Sequence, residues 1–356
     1  MRLHRIAVLL LALIALIGAG ALEARTIKIA TLLMDGSSWM RILREGADEI
    51  KAQTDGRVTL KFYPSGVMGN ESVVLKKIRL GALQGSLLTS GSLTQYYTDV
   101  WLYGLPLIFE SYEEVDYVRE RLDPVLMDGL RDEGWEIFGF AETGFAYPMS
   151  MVPTPSVEDV RAQRVWVPDN DPVAALAYKA FGITPIPLPL SDVWTGLQTG
   201  VVNGVNVPLV GAIAFQWHTK LKFVTDMPVL YAFGALAVDT RTFKKLSEVD
   251  GAVVHRVMAA AIDEINAINR RDHFAAMQAL RNQGLVFVKP SSAELATWKD
   301  LAAEATQEMV RRKIVSSNLY EAMHGYLSEY RARHKAGEPA LNDVGALTKG
   351  SVGNGS

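Results

Sequence analysis

The sequence predicts an α/β fold of two lobes, and three observations predict it. Strand-like and helix-like segments alternate from the first strand onward, the pattern of parallel strands under crossover helices. The 356 residues, less a leader, exceed what one hydrophobic core usually serves. An apolar periodicity from Gly251 to about Gln283, carried by Val254, Val257, Met258, Ala261, Ile262, Ile265 and Ile268, describes a helix approaching about 50 Å at about 1.5 Å per residue. Such a helix is long enough to touch both lobes.

The elements follow in order. Arg2, His4 and Arg5 precede the unbroken apolar run Ile6 to Ile17, and Ala19-Gly20-Ala21 offers a small-x-small cleavage site, with Ala24 a second. The run is 12 residues, short of the roughly 20 a spanning helix needs. Residues 1–24 are therefore expected to be a cleaved signal peptide on an exported chain; an uncleaved membrane anchor is the other reading. Thr26 to Leu32 reads as a buried strand, and the Gly36-Ser37-Ser38 turn supplies hydroxyls to cap a helix running to about Thr54. Asp55-Gly56 turns the chain into a strand from Val58 to Tyr63. Glu71 to Arg79 is helical, Leu83 to Thr89 is a strand, and Ser90-Gly91-Ser92 breaks it. From Trp101 a Pro-broken apolar loop leads into a helix through about Gly134, then a strand from Trp135 to Phe140.

Pro153 to Pro155 punctuates the chain where the second lobe is expected to begin. There Arg164 to Val167 reads as a strand, Asp171 to Phe181 and Ser191 to Thr199 as helices, Val201 to Val207 as a strand, and Tyr231 to Val238 as a strand returning to the first lobe. After the long helix come a short strand at Leu285 to Val288, a helix opened by the capping-box pair Ser291 and Glu294, and a last helix from Asn318 to about His334. The Gly/Ser tail, Gly350 to Ser356, has the composition of a disordered segment.

Composition excludes several functions. Hydrophobic residues make up 49% against 21% charged, enough for large cores. Cysteine is absent, which removes disulfides, thiolate nucleophiles and thiolate metal sites. A net charge of −3 without a basic patch gives no field for nucleic acid. No zincin His-Glu-x-x-His, Gly-x-Ser-x-Gly elbow, phosphate loop or dinucleotide fingerprint occurs. The histidines His4, His218, His255, His273, His324 and His334 have no metal spacing, and Asp263-Glu264 and Glu113-Glu114 fall on exposed helix faces. No cofactor and no catalytic site are expected.

Several segments in order carry a family resemblance: Ser38-Trp39, Gly56-Arg57, Tyr63-Pro64-Ser65-Gly66 through Gly69 and Glu71, Gly81-Ala82, Leu105-Pro106-Leu107-Ile108-Phe109, and Gly196-Leu197-Gln198-Thr199-Gly200-Val201-Val202-Asn203-Gly204. With the stretch from Asp159 to Pro208, the chain resembles the extracytoplasmic solute receptors of TRAP (tripartite ATP-independent periplasmic) transporters, the DctP family. The resemblance implies a periplasmic, type II-like binding-protein fold with a cleft between lobes and a bridging helix. The receptor would close on one small-molecule solute and deliver it to small and large membrane subunits, as a monomer or weak dimer. It places 26–143 with about 232–271 in one lobe, 144–231 with about 272–334 in the other, and 335–356 in a tail. An exported enzyme and a periplasmic sensor are the readings from other classes.

The departures from the family bear on the ligand. The arginine that clamps a carboxylate in most relatives corresponds to Trp166, its helper asparagine to Val207, and a second frequent arginine to Ala146. A buried carboxylate without a charge partner costs several kcal/mol. The resemblance puts Ser37, Trp39, Glu71, Ser90, Phe145, Tyr147, Leu190, Trp194, Asn206 and Trp217 beside Trp166 and Val207 in the cleft. The expected ligand is neutral and largely apolar or aromatic, with a cation as second choice. The alternative is an organic acid held by backbone N–H groups or helix N-termini.

Overall fold

A computed structural model of the chain describes residues 24–334; the expected signal peptide through residue 23 and the expected tail from 335 lie outside them. Strands β1 (Arg25–Ala30), β2 (Val58–Tyr63) and β3 (Gly85–Thr89) are linked by helices α1 (Ser38–Gln53) and α2 (Glu71–Arg79). β1 pairs in parallel with both β2 and β3. Short helix α3 (Ser90–Leu93) starts where a break was expected, because Thr89 Oγ1 accepts from the Ser92 amide and caps it. A 3-10 turn (Thr98–Gly104) and helix α4 (Tyr112–Asp132) then lead to β4 (Trp135–Ser150).

β4 runs ten residues past the expected end at Phe140, and it ties the molecule together. It pairs antiparallel with β9 (Leu230–Asp239) from Trp135 to Ala146. From Ala146 to Ser150 it pairs with β7 (Gly204–Pro208) on the other side. The sheet is thus mixed, where alternating strands and helices predicted a parallel one: β4 and β9 are long strands crossing the molecule in opposite directions, and β3 pairs antiparallel with β9. Register shifts fall between Ile137 and Phe140 and between Glu142 and Gly144. Gly139 (φ +133°) and Gly144 (φ +94°) sit in these bulges, in backbone that favours glycine. A Cβ on Gly144 would lie 2.8 Å from the Tyr112 hydroxyl. Pro153 and Pro155 lie past this strand, in the loop to α5 (Val157–Arg161).

The remaining elements complete two lobes. β5 (Trp166–Pro168) and β6 (Ile186–Leu188) form a separate parallel pair flanking α6 (Pro172–Ala180), followed by α7 (Val193–Thr199). Helix α8 (Leu209–Ala214) follows β7, and β8 (Phe223–Thr225) pairs with the end of β4. After α9 (Thr240–Phe243) comes α10 (Glu248–Asn282), then β10 (Val286–Val288) parallel to β8, α11 (Ser292–Arg311) and α12 (Ser317–Arg333). α10 is 35 residues long, about 50 Å, and packs on α1, β4 and α8. Gly46 of α1 lets it come close, since a Cβ there would lie 2.5 Å from Met258 Cε. Among the described residues no helix is long and apolar enough to cross a membrane.

Candidate functional site: an aromatic and acidic cleft

Where the β1–β3 half meets β4, β5, β7 and α8, the chain encloses a cavity of about 630 Å³. Loop residues 31–39, β3 and α3 form one side, and Trp166, Asn206 to Pro208 and the turn after α8 the other. Residues 230–234 of β9, with Ala141, Thr143 and Ala146 of β4, make the floor.

The aromatic side is built on Trp166, whose ring meets that of Trp217 edge-on at 5.2 Å between centroids. Trp217 in turn stacks on Phe215 at 5.4 Å. The Trp166 indole N–H donates to the Leu188 carbonyl at 2.9 Å. This bond ties β5 to the end of β6, with which it already pairs, so Trp166 presents an apolar ring to the cavity.

The lining also carries two buried carboxylates, those of Glu71 and Asp171. Asn70 Oδ1 caps α2, which frees the Glu71 carboxylate for four other donors. It accepts from the Thr89 amide (2.9 Å), the Thr89 hydroxyl (2.8 Å), the Ser92 hydroxyl (2.5 Å) and the Asn170 amide (2.5 Å). Asn170 lies between β5 and α6, so this bond links two separate parts of the cleft. Beside it Asp171 caps α6 by accepting from the Ala174 amide at 2.8 Å. Its carboxylate packs over Gly91, where a Cβ would lie 2.5 Å from Asp171 Cβ. Burial pushes the Asp171 carboxyl up to about 6 and neighbouring Glu71 adds to the rise, against hydrogen bonds from Ala174, Val173 and Trp101.

Beneath the floor, Tyr231 donates its hydroxyl to Glu142 at 2.6 Å. Glu142 is fully buried and also accepts from Arg270 at 2.5 and 3.0 Å. Arg119 donates to the Tyr231 hydroxyl (3.0 Å), Asp123 (2.9 Å) and the Phe140 carbonyl (2.9 Å). These two guanidinium groups are engaged behind the tyrosine, and among the described residues no Arg, Lys or His lines the cavity.

Comparison with known proteins places this geometry. The model of DctP, described as bacterial extracellular solute-binding protein, family 7, matches residues 29–313, well over half of the chain. The chain belongs to the DctP family. A solute-binding protein of Roseobacter denitrificans is 25% identical over 292 residues, covering 81% of this chain and 89% of that one. The C4-dicarboxylate-binding periplasmic protein of Rhodobacter capsulatus is 24% identical over 73% of this chain and 78% of its own. A crystal structure of a TRAP periplasmic solute-binding protein from Desulfovibrio salexigens with bound orotic acid superposes with a TM-score of 0.78 at 17% identity, over 85% of this chain and 99% of that one. The fold is that of TRAP periplasmic solute-binding proteins, and the chain is a solute-binding receptor of that kind.

In this DctP-family receptor, Ser37, Trp39, Glu71, Ser90, Trp166, Leu190, Asn206, Val207 and Trp217 line the cavity. Three expected residues are not among the lining. Ala146 takes the cavity side of β4, and its neighbours pack beneath, as alternation along a strand requires. Phe145 meets Tyr112 edge-on at 4.9 Å, and Tyr147 stacks on His273 of α10 at 5.8 Å. Trp194 is 36% exposed, with Lys220 Nζ 4.8 Å from its ring centroid. Asn206 gives its amide N–H to the Tyr178 hydroxyl at 2.8 Å.

Trp101, Asp171, Tyr178, Phe215 and Tyr231 also line the cavity, and sequence reasoning missed them. Phe215 had a signal, an aromatic two residues before Trp217 in a short loop. Asp171 was visible only as the start of a helix. Replacing Asn170 by alanine removes its bonds to Glu71 and Ser92. It is expected to weaken solute binding about 10- to 150-fold, since the bond to the charged Glu71 contributes about 1.5–3 kcal/mol; titration calorimetry with the co-purifying solute measures it, and unchanged affinity would remove Asn170 from any role in closure.

Proposed function

We propose that this receptor closes on a largely apolar or aromatic solute that carries no carboxylate, and hands it to the membrane subunits of a TRAP transporter in the periplasm. The observation that carries this reading is the absence of any cationic side chain from the cavity lining among the described residues, which includes Trp166, Val207 and Ala146, where the resemblance puts the family's carboxylate contacts. An acid enclosed there would meet Glu71 and Asp171 and no counter-charge, at a cost of several kcal/mol. The ring faces of Trp166 and Trp217 instead favour a planar or apolar group. The bulge between Glu142 and Gly144 supports a boundary between lobes at 143/144 and about 231/232, around which a solute preferring the closed state would shift its population.

A second reading has support of its own: the relatives named above take C4-dicarboxylates and orotic acid. Under it, an acid is held through backbone N–H groups. Tryptophan fluorescence against a panel of neutral aromatics, C4-dicarboxylates and sugar acids separates the two, with Trp166→Arg as the decisive variant. The first reading expects neutral aromatics to bind the native protein and acids to bind only the variant. Tight acid binding by the native protein, lost in Trp166→Arg, would establish the second.

A further inference from the structure

The two faces of the cavity share one charge preference. Glu71 and Asp171 are each only 7% exposed, both line the cavity, and neither has a cationic partner among the described residues. Four donors hold Glu71, while the Ala174 amide and the Trp101 side chain hold Asp171. Hydrogen bonds of this kind hold carboxylates in place without cancelling their net charge. The other acids on the lining are accounted for elsewhere: Asp35 pairs with Arg44 at 2.6 Å, and Asp272 is half exposed beside Arg271. Among the described residues, the guanidinium groups of Arg119 and Arg270 behind the floor are spent on Glu142, Asp116 and Asp123.

The same cavity is lined by Trp166, Trp217 and Phe215, whose rings pack on one another. The faces of such rings carry the negative end of a quadrupole and attract cations. The Trp166 N–H is turned to Leu188 and is not offered to an anion there. A neutral solute would leave two neighbouring negative charges dehydrated when the cleft closes. A positively charged one offsets them and gains from the rings as well.

We propose that the solute carries a positive charge, an ammonium group seated between the Glu71 and Asp171 carboxylates and the Trp166–Trp217 rings. This rests on the reading of the cavity as one that excludes acids, and it reverses the order expected from sequence, in which a neutral ligand came first. The groups facing Asp171 are Glu71 from α2, Trp101 from the 3-10 turn and Tyr178 from its own helix. None is cationic, so acidification acts through Asp171 itself. Its carboxyl, pushed up to about 6, gains a proton as the pH falls through that value, and the attraction for a cation falls with it.

The test uses the full mature chain, titrated calorimetrically with three probes of similar shape: choline, its uncharged carbon isostere neohexyl alcohol, and the acid tert-butylacetate, with benzyltrimethylammonium as a larger cation. The ammonium compounds are expected to bind at least about tenfold tighter than the isostere at about pH 7.5, and about tenfold weaker at about pH 5 than at pH 7.5. Asp171→Asn keeps a capping oxygen for the Ala174 amide, so it folds, and it is expected to reduce the preference for choline over the isostere to within about threefold. Glu71→Gln gives a second, independent reading of the same loss.

Equal binding of choline and neohexyl alcohol, or no ammonium binding at millimolar concentration, overturns the cation assignment and leaves the acid-excluding reading in place. Tighter binding of tert-butylacetate than of both others overturns both.

Discussion

Trp166→Ala is expected to destabilise the fold by about 3–5 kcal/mol and to weaken solute binding by about 100-fold or more. Both effects come from one ring. Trp166 is 5% exposed, and its removal leaves a cavity beside Trp217 that the short β5–β6 pair is poorly placed to fill. It also strips the Leu188 carbonyl of its indole donor. The loss of affinity has a separate origin, since the same ring lines the cavity. Trp166→Phe separates the two: it keeps most of the apolar face but no donor to Leu188, so it should recover affinity more fully than stability. Urea midpoints at constant slope report the first quantity, and calorimetric titration with the co-purifying solute reports the second. An alanine variant that binds within threefold of the native protein would take Trp166 off the binding face, whatever its stability.

Trp166 also marks how much could be read without coordinates. Its place in the cleft was legible because an ordered set of turns and helix caps surrounds it, and those depend on local chemistry: Ser37 on α1, Ser291 with Glu294 on α11. The long helix was equally legible, because a periodicity sustained over many turns has no strand alternative. What escaped was set by non-local geometry. Phe145 and Tyr147 were placed in the cleft alongside Ala146, yet a strand cannot send three consecutive side chains the same way. The full length of β4 was hidden by its glycines, which look like a stop and are bulges within a continuing strand. The destination of the Trp166 N–H could not be read at all, since it depends on which carbonyl of β6 lies beside it. The Glu71–Asn170 bond joins residues 99 positions apart, and no local pattern announces it.

The same limit applies to Glu142, for which the sequence held no signal beyond a charge in an apolar strand, and where the largest stability change outside the cleft is expected. Glu142→Ala should cost about 3–5 kcal/mol, because it removes the shared partner of two largely buried cations and leaves each with a single carboxylate. Arg270 retains Asp116 and Arg119 retains Asp123, so the loss is partial for each and additive across both. The Tyr231 hydroxyl loses its acceptor as well. An exposed pair gives the contrast: Arg41 and Glu45 on α1 are 3.3 Å apart with both side chains more than half exposed, and Glu45→Ala should cost no more than about 1 kcal/mol. The consequence for binding is indirect. Tyr231 reaches the cavity floor while its hydroxyl is fixed from behind, and the Asn266 and Asn269 side chains bond the backbone of residue 142 to α10. Glu142→Ala should therefore loosen the floor and weaken binding by no more than about tenfold, a smaller loss than at Trp166 despite a comparable loss of stability. Chemical denaturation of the two variants alongside Glu142→Gln, which keeps the shape and loses the charge, tests the ranking. A Glu142→Ala cost near that of Glu45→Ala would mean that the buried carboxylate contributes nothing to joining α10 to the strand that crosses both lobes.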